Sequence, residues 1–278
     1  MGYIPQGAIH SLNNVGKETA IMVIGFSSLA PVTFDLPTVF NGVPALIRDA
    51  YTSPHTQLRH YLGPIHNPIV GNQPLHYKCN SVNVISPYRI DLCAVTPLFS
   101  QPGLGSVVWA VTDNWPILDQ SGLADGQGQL SFIRTILDIN CSRDCIWWPN
   151  ANVVYTVVKR WGEFCLILPG YEPQPFKVKP NDMIFVPIGV PHTVINKSTS
   201  CQLEIVGFFD KSNPSPEISL GVGTAFFPRD IANDSLSSWG NKSSDTQWLK
   251  NLHNFVKTPY ILQTPSSSNS SNPLMSYY

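Results

Sequence analysis

Apolar residues recur along this chain in short bursts, each closed off by Pro, Gly, Asn or Ser. Within a burst they alternate with polar positions or run together for a few residues. A period of two, with enrichment in Val, Ile, Phe and Trp, marks β-strands rather than helices. The pattern predicts strands over 107–111, 130–137, 152–158, 164–168, 183–187, 193–196 and 202–208. One stretch departs from it. After Asp245, an N-cap candidate, Trp248, Leu252, Phe255 and Val256 fall on one helical face and predict a helix across the end of a sheet. The proline-rich stretch 61–105 reads as an extended connector carrying a few strands, and 263–278 has no apolar period and reads as a disordered tail. The class is mostly β.

Composition narrows what such a protein does. The chain has 278 residues, 43% of them hydrophobic, enough to bury a core. Lys and Arg number 17 against 18 Asp and Glu, and charged residues make up only 13%, so no basic face points to nucleic acid or to an anionic membrane. The longest apolar run, from Thr19 to Val32, is too short and too interrupted to span a bilayer. Six cysteines lack paired Cys-x-x-Cys spacing, which favours disulfides or buried thiols over zinc. Cys141 and Cys145 read as a short disulfide or an unpaired couple on a turn. His55, His60, His66 and His76 lie in the connector without zinc spacing. Asn-x-Ser triplets at Asn140, Asn196, Asn233, Asn241 and Asn269 would suit a secreted protein, though such triplets also arise by chance. The compartment stays open at this point.

A repeat organises the chain. "YIPQGAIHSLNN" (3–14) matches "FVPIGVPHTVIN" (185–196), pairing Pro5 with Pro187, Gly7 with Gly189, His10 with His192 and Asn14 with Asn196. The same offset aligns "VIGF" (23–26) with "IVGF" (205–208), and one gap later Arg48-Asp49 falls on Arg229-Asp230. With this chain's own residue frequencies, roughly 0.003 chance occurrences of such a pattern are expected, so a duplication is the better explanation.

The run Asn181-Asp182-x4-Pro187-x-Gly189-x2-His192-x3-Asn196 resembles the second motif of the cupin superfamily, with Asn181 where the family has Gly. Two tandem copies resemble the bicupins, and the entry "TDNWPILDQSGLADGQGQLSFIRTIL" (112–137) and the segment "GVGTAFFPRDIANDSL" (221–236) are similar to the oxalate decarboxylase-like, germin-like branch. The resemblance implies a double-stranded β-helix, or jelly roll. Its organisation would be the C-terminal part of a first cupin barrel over 1–60, the connector over 61–105, a complete second cupin over 106–262 and the tail over 263–278. The chain is therefore expected to open inside a first barrel whose earlier strands lie upstream or come from a partner chain.

The resemblance also names candidate metal ligands. In metal-binding cupins His192 and His10 would each supply one imidazole, and two His and a Glu from the first motif would complete the set. The matching stretch in the second barrel is "CIWWPNANVVYTVVKRWG" (145–162). One register places Ile146, Trp148 and Val153 at the ligand positions; counting back from Gly162 places Trp148, Asn150 and Tyr155 there. Neither register supplies a His or a carboxylate, so Ile146, Trp148, Val153 and Tyr155 read as pocket-lining residues, and no cofactor is expected in the second barrel. Mn is the expectation for an intact first barrel. The family's lid, with a Glu as general acid, corresponds to "SSLAPVTF" (27–34), which has no carboxylate.

The resulting expectation is a degenerate bicupin with a metal-free second barrel in a structural or small-molecule-binding role. Seed storage globulins keep the same architecture without catalysis. The alternative is a Mn- or Fe-dependent oxalate decarboxylase or oxidase-like enzyme with its active site in the first barrel. A third reading is a sugar- or polyphenol-binding module using Trp147 and Trp148. Small carboxylic acids or sugar-like molecules are the ligand classes considered, and homo-oligomers are the assembly the resemblance implies. No Gly-x-Ser-x-Gly elbow, phosphate-binding loop or dinucleotide turn is present in the sequence.

Overall fold

The computed structural model describes residues 1–4, 10, 12, 14, 16–26, 87–120, 130–173, 175–220 and 261–263. The chain divides into two units, one made of Met1–His10 and Ile85–Tyr278, the other of Ser11–Val84. The first unit holds thirteen strands among its described residues: β1 (Phe99–Gln101), β2 (Gly105–Ala110), β3 (Ser131–Leu137), β4 (Cys141–Arg143), β5 (Ile146–Trp147), β6 (Val153–Lys159), β7 (Gly162–Leu166), β8 (Phe176–Val178), β9 (Met183–Val186), β10 (His192–Asn196), β11 (Leu203–Phe209), β12 (Ile218–Ser219) and β13 (Ile261–Gln263). A single turn of helix, α1 (Ile117–Gln120), follows β2. No helix among the described residues is long and apolar enough to cross a membrane.

The strands form two antiparallel sheets. One runs β1-β2-β3-β11-β6-β9; the other runs β12-β5-β10-β4-β13, with β7 and β8 added beside β10. Alternation along β10 and β11 is strict: His192, Val194 and Asn196, and Leu203, Ile205, Gly207 and Phe209, are buried, while the residues between them are half-exposed. Successive side chains on a strand face opposite sides, so these residues point between the sheets. The core there joins Val107, Ile133, Leu137, Val153, Val157, Val186, Leu203, Ile205 and Phe209 from one sheet to Cys141, Ile146, Phe164, Val178, Val194 and Ile261 from the other. A smaller cluster of Ala110, Trp115, Leu118, Leu130 and Phe132 takes in Met1, Tyr3, Ile90 and Leu92. Gly2 bridges Arg89, and the Trp115 indole N–H donates to the Pro87 carbonyl at 2.8 Å.

All seven strands predicted from the pattern are present, to within a residue or two at their ends. β1 falls inside the connector, and β13 ends one residue inside the stretch read as a tail. The helix after Asp245, the segment 221–236, the lid 27–34 and the four connector histidines lie outside the described residues. Cys93, Cys141, Cys145, Cys165 and Cys201 are free thiols, so the short Cys141–Cys145 disulfide is not formed.

Local chemistry explains the turns of the motif. Asn181 has φ 75°, a left-handed conformation that Asn tolerates better than most residues, which accounts for its standing where Gly was anticipated. Asp182 closes the same turn, its carboxylate accepting from Lys179 N–H at 2.9 Å. Gly189 has φ 73° and donates its N–H to the Trp148 carbonyl at 2.8 Å, tying the Pro187–Val190 turn to the segment that follows β5.

Candidate functional site

The site grows from β10. His192 lies opposite Ile146 of β5 on one side and Leu166 of β7 on the other, so its ring is directed into the space between the sheets, where it is 2% exposed. Its Nδ1 is 3.0 Å from the Val190 carbonyl oxygen. A carbonyl only accepts, so Nδ1 carries the proton and Nε2 presents a lone pair. That lone pair faces the Tyr155 hydroxyl at 3.2 Å, and the hydroxyl in turn accepts the Trp148 indole N–H at 3.3 Å. The hydrogen bonds therefore run in one direction, from indole to phenol to imidazole to backbone.

Aromatic rings enclose this chain. Phe164 lies parallel to the His192 ring at 5.7 Å, and Trp148 meets Phe209 edge-on at 4.6 Å and Trp109 at 5.2 Å. Gly207, opposite Tyr155 on β11, makes room for the phenol: a Cβ there would stand 2.8 Å from Tyr155 Cε1 and 2.7 Å from Ile133 Cγ2. Burial shifts both titratable groups toward their neutral forms. It pulls the His192 imidazole down to about 4, with the nearby Arg143 cation adding to the effect against the Val190 hydrogen bond, and it pushes the Tyr155 phenol well above its ordinary range.

At the other end of β10, Asn196 acts as a clip. Its Nδ2 lies 3.0 Å from each of the carbonyls of Leu137, Asp138 and Cys201, and its Oδ1 accepts from Ser198 N–H at 2.9 Å. A side chain so fully engaged is no acceptor for a glycan in the folded protein.

No protein-family model matches the chain, and no curated protein matches it. Solved structures do. The oxalate decarboxylase of Bacillus subtilis at pH 4.6 superposes with a TM-score of 0.62 at 15% identity, over 84% of this chain and 57% of that one. An oxalate decarboxylase studied for its substrate binding mode and a reaction specificity switch gives 0.63 at 14% identity, over 84% and 58%. Pumpkin seed globulin gives 0.52 at 13% identity, over 62% and 42%. The chain has the cupin fold. It spans about 58% of the length of the oxalate decarboxylase chain.

Within the cupin barrel the pocket-lining residues read from the sequence come to one interior: Ile146, Trp148 and Val153 are each 1% exposed and Tyr155 is 3% exposed. Ile146 pairs in register with His192, while Trp148 and Tyr155 join it through the hydrogen-bonded chain. Asn150 turns away, accepting from Ser215 N–H at 2.8 Å. The aromatic mouth read from Trp147 and Trp148 is not formed by the two together: Trp147, in register with Ile218 of β12, is half-buried, while Trp148, just after β5, is sealed inside. Two surface hollows, of about 440 and 600 Å³, are lined by Arg89, Asp91 and Asn114 and by Asp138, Lys159 and Gln202, away from His192.

The first copy of the repeat is placed differently. His10 and Asn14 are exposed, and Asn14 closes a local turn with Gly16 and Glu18 rather than clipping strands together. Residues 5–9, 11 and 13 lie outside the described residues. Among the described residues no three His, Cys, Asp or Glu side chains gather where a metal ion could be held.

One feature of the interior was not legible in the sequence. Arg143, 3% exposed as a side chain, pairs with Glu217, whose side chain is 4% exposed although its backbone borders solvent. The one available signal is a lone Arg within "CSRDCIWW", in a chain where charge is scarce.

Proposed function

We propose that the described barrel is a cupin that works without a metal ion, as a structural or small-molecule-binding module. The observation that carries this reading is the occupation of both His192 ring nitrogens, Nδ1 by a carbonyl and Nε2 by the Tyr155 hydroxyl. A Mn(II) ion at Nε2 would have to displace that hydroxyl and would find Ile146, Trp148 and Val153 beside it, none of which donates to a hard cation. The residues present do not fit the group. The likeness to a seed globulin supports the same reading.

The test is the metal content of the full chain, produced with excess Mn and Fe, beside that of His192→Gln. Equal metal content in the two is expected; a stoichiometric ion lost with His192 would sink the proposal.

A second reading has its own support. The likeness to oxalate decarboxylase extends over 84% of the chain, more than residues 106–262 alone supply, and Mn(II) centres are described for the Bacillus subtilis oxalate decarboxylase. A Mn-dependent oxalate decarboxylase-like activity centred on a first barrel would make His10 a ligand. Oxalate turnover abolished by His10→Ala but retained in His192→Gln would favour it.

A further inference from the structure

Away from His192, turns at one end of the barrel line a hollow of about 600 Å³. The β3–β4 turn gives Asp138, the end of β6 and the residue after it give Lys159 and Arg160, and the β10–β11 connection gives Ser200 and Gln202. Two of the lining residues are thus cations and one is a carboxylate. That carboxylate is already tied down, with Asp138 Oδ1 accepting the Gln202 amide N–H at 2.6 Å. The cations are less well matched. A single carboxylate, Glu204, serves both Arg134 at 2.8 Å and Lys159 at 3.2 Å, and Arg160 has no carboxylate partner among the described residues. The hollow therefore carries surplus positive charge.

The backbone at Arg160 points the same way. Among the described residues, three other than glycine have a left-handed φ: Asn140 at 57°, Asn181 at 75° and Arg160 at 67°. Asn adopts that conformation readily through its short polar side chain, whereas an Arg gains nothing local from it and costs stability there. Arg160 stands where the chain crosses from β6 in one sheet to β7 in the other. The next residue, Trp161, has its ring covered by Lys177 Nζ at 4.3 Å, so Arg160 is the side chain that the turn gives to the hollow. A residue kept against local preference needs a compensating role, and charge is the role this position supplies.

The geometry points to a binding site in this hollow for a phosphorylated polyol, with Arg160 and Lys159 taking the phosphate and Asp138, Gln202 and Ser200 taking hydroxyls. A phosphate monoester fits better than a carboxylate because it carries about two negative charges near pH 7, enough to engage both cations, and its oxygens match the planar guanidinium fork. The hollow is larger than a bare phosphate fills, and its carboxylate, amide and hydroxyl side chains together offer the donors and acceptors that a polyol needs. The site goes beyond the metal-free reading of the barrel and does not depend on it, since His192 is not among its lining residues.

Isothermal titration of the full chain with glucose 6-phosphate, inorganic phosphate, glucose and acetate, at constant ionic strength, tests the proposal. Glucose 6-phosphate should bind saturably at one site and more tightly than inorganic phosphate, with glucose and acetate weaker still. Arg160→Gly is the decisive variant, because glycine takes a left-handed φ freely. It should weaken glucose 6-phosphate binding about tenfold or more while raising the urea midpoint, since the backbone strain is removed. Gln202→Ala should lower the affinity for glucose 6-phosphate and spare that for inorganic phosphate. Lys211→Ala, which removes an exposed cation outside the hollow, should leave both unchanged. The site is overturned by a lack of saturation with glucose 6-phosphate at millimolar concentration, by unaltered binding in Arg160→Gly, or by an equal loss in Lys211→Ala, which would mean diffuse attraction to surface charge. A lower urea midpoint for Arg160→Gly would overturn it as well, by giving Arg160 a role in the fold that needs no ligand. None of these readouts involves a metal at His192, so this proposal and the metal-free reading fail separately.

Discussion

Lowering the pH from 8 to 5 should weaken the barrel through His192, against the opposite tendency of Glu217, whose carboxyl burial pushes up. In the unfolded chain the imidazole titrates near 6.5; inside the barrel burial holds it down to about 4. The sign follows from proton counting. Between those values the unfolded chain binds a proton that the folded barrel refuses, so stability is fully present above the unfolded value and drains away as the pH falls toward the folded one. The full difference is about 3 kcal/mol, of which about 2 kcal/mol is lost between pH 8 and pH 5. The difference between the unsubstituted protein and His192→Gln isolates this residue. Glu204, held below its ordinary range despite burial by Arg134 at 2.8 Å and Lys159 at 3.2 Å, loses its contribution only at lower pH. Urea unfolding followed by tryptophan fluorescence, at half-unit steps of pH, measures the slope. The unsubstituted protein should lose stability steeply below pH 6.5, and His192→Gln, which has no proton to refuse, should lose about 2 kcal/mol less between pH 8 and pH 5. Parallel profiles for the two proteins would refute the reasoning, because they would mean that His192 is either hydrated or already charged.

Two further substitutions test the packing around the site. Gly207→Ala places a methyl group against Tyr155 and Ile133 at distances no Cβ tolerates, so it should cost about 1–3 kcal/mol in urea unfolding and displace the phenol from His192; a change within error would mean that the Tyr155 ring does not lie over β11. Asn196→Ala leaves the carbonyls of Leu137, Asp138 and Cys201 and the Ser198 N–H without their shared partner, with an expected loss of about 2–3 kcal/mol, whereas a loss no larger than that of an exposed Asn→Ala control would contradict the clip.

The strands of four or more residues were legible because each sends alternate side chains into one core, and that period survives in the sequence. β1, β4, β5, β8, β12 and β13, at two or three residues each, are too short to carry a period; they exist through pairing with neighbours far along the chain. The interior of the site was legible in membership but not in connection. Trp148 and Tyr155 could be laid on ligand positions, yet only the pairing of β6 with β11 over Gly207 brings the phenol to His192. Arg143 and Glu217 lie 74 residues apart, and no local pattern relates them. The repeat marked the turn chemistry of Pro187, Gly189 and Asn196 well, but burial depends on flanking strands. His192 is paired on both sides of β10, with Ile146 and Leu166, and Asn196 is paired with Gly162 of β7, whereas His10 and Asn14 are exposed.

The most direct measurement is the nitrogen NMR spectrum of His192, assigned by its disappearance in His192→Gln and recorded with and without one equivalent of Mn(II). A neutral ring protonated at Nδ1, with Nε2 accepting a hydrogen bond and both signals unbroadened by the ion, is the predicted result. Signals broadened beyond detection by stoichiometric Mn(II) would contradict it, for they would place the ion on the nitrogen that Tyr155 is held to occupy.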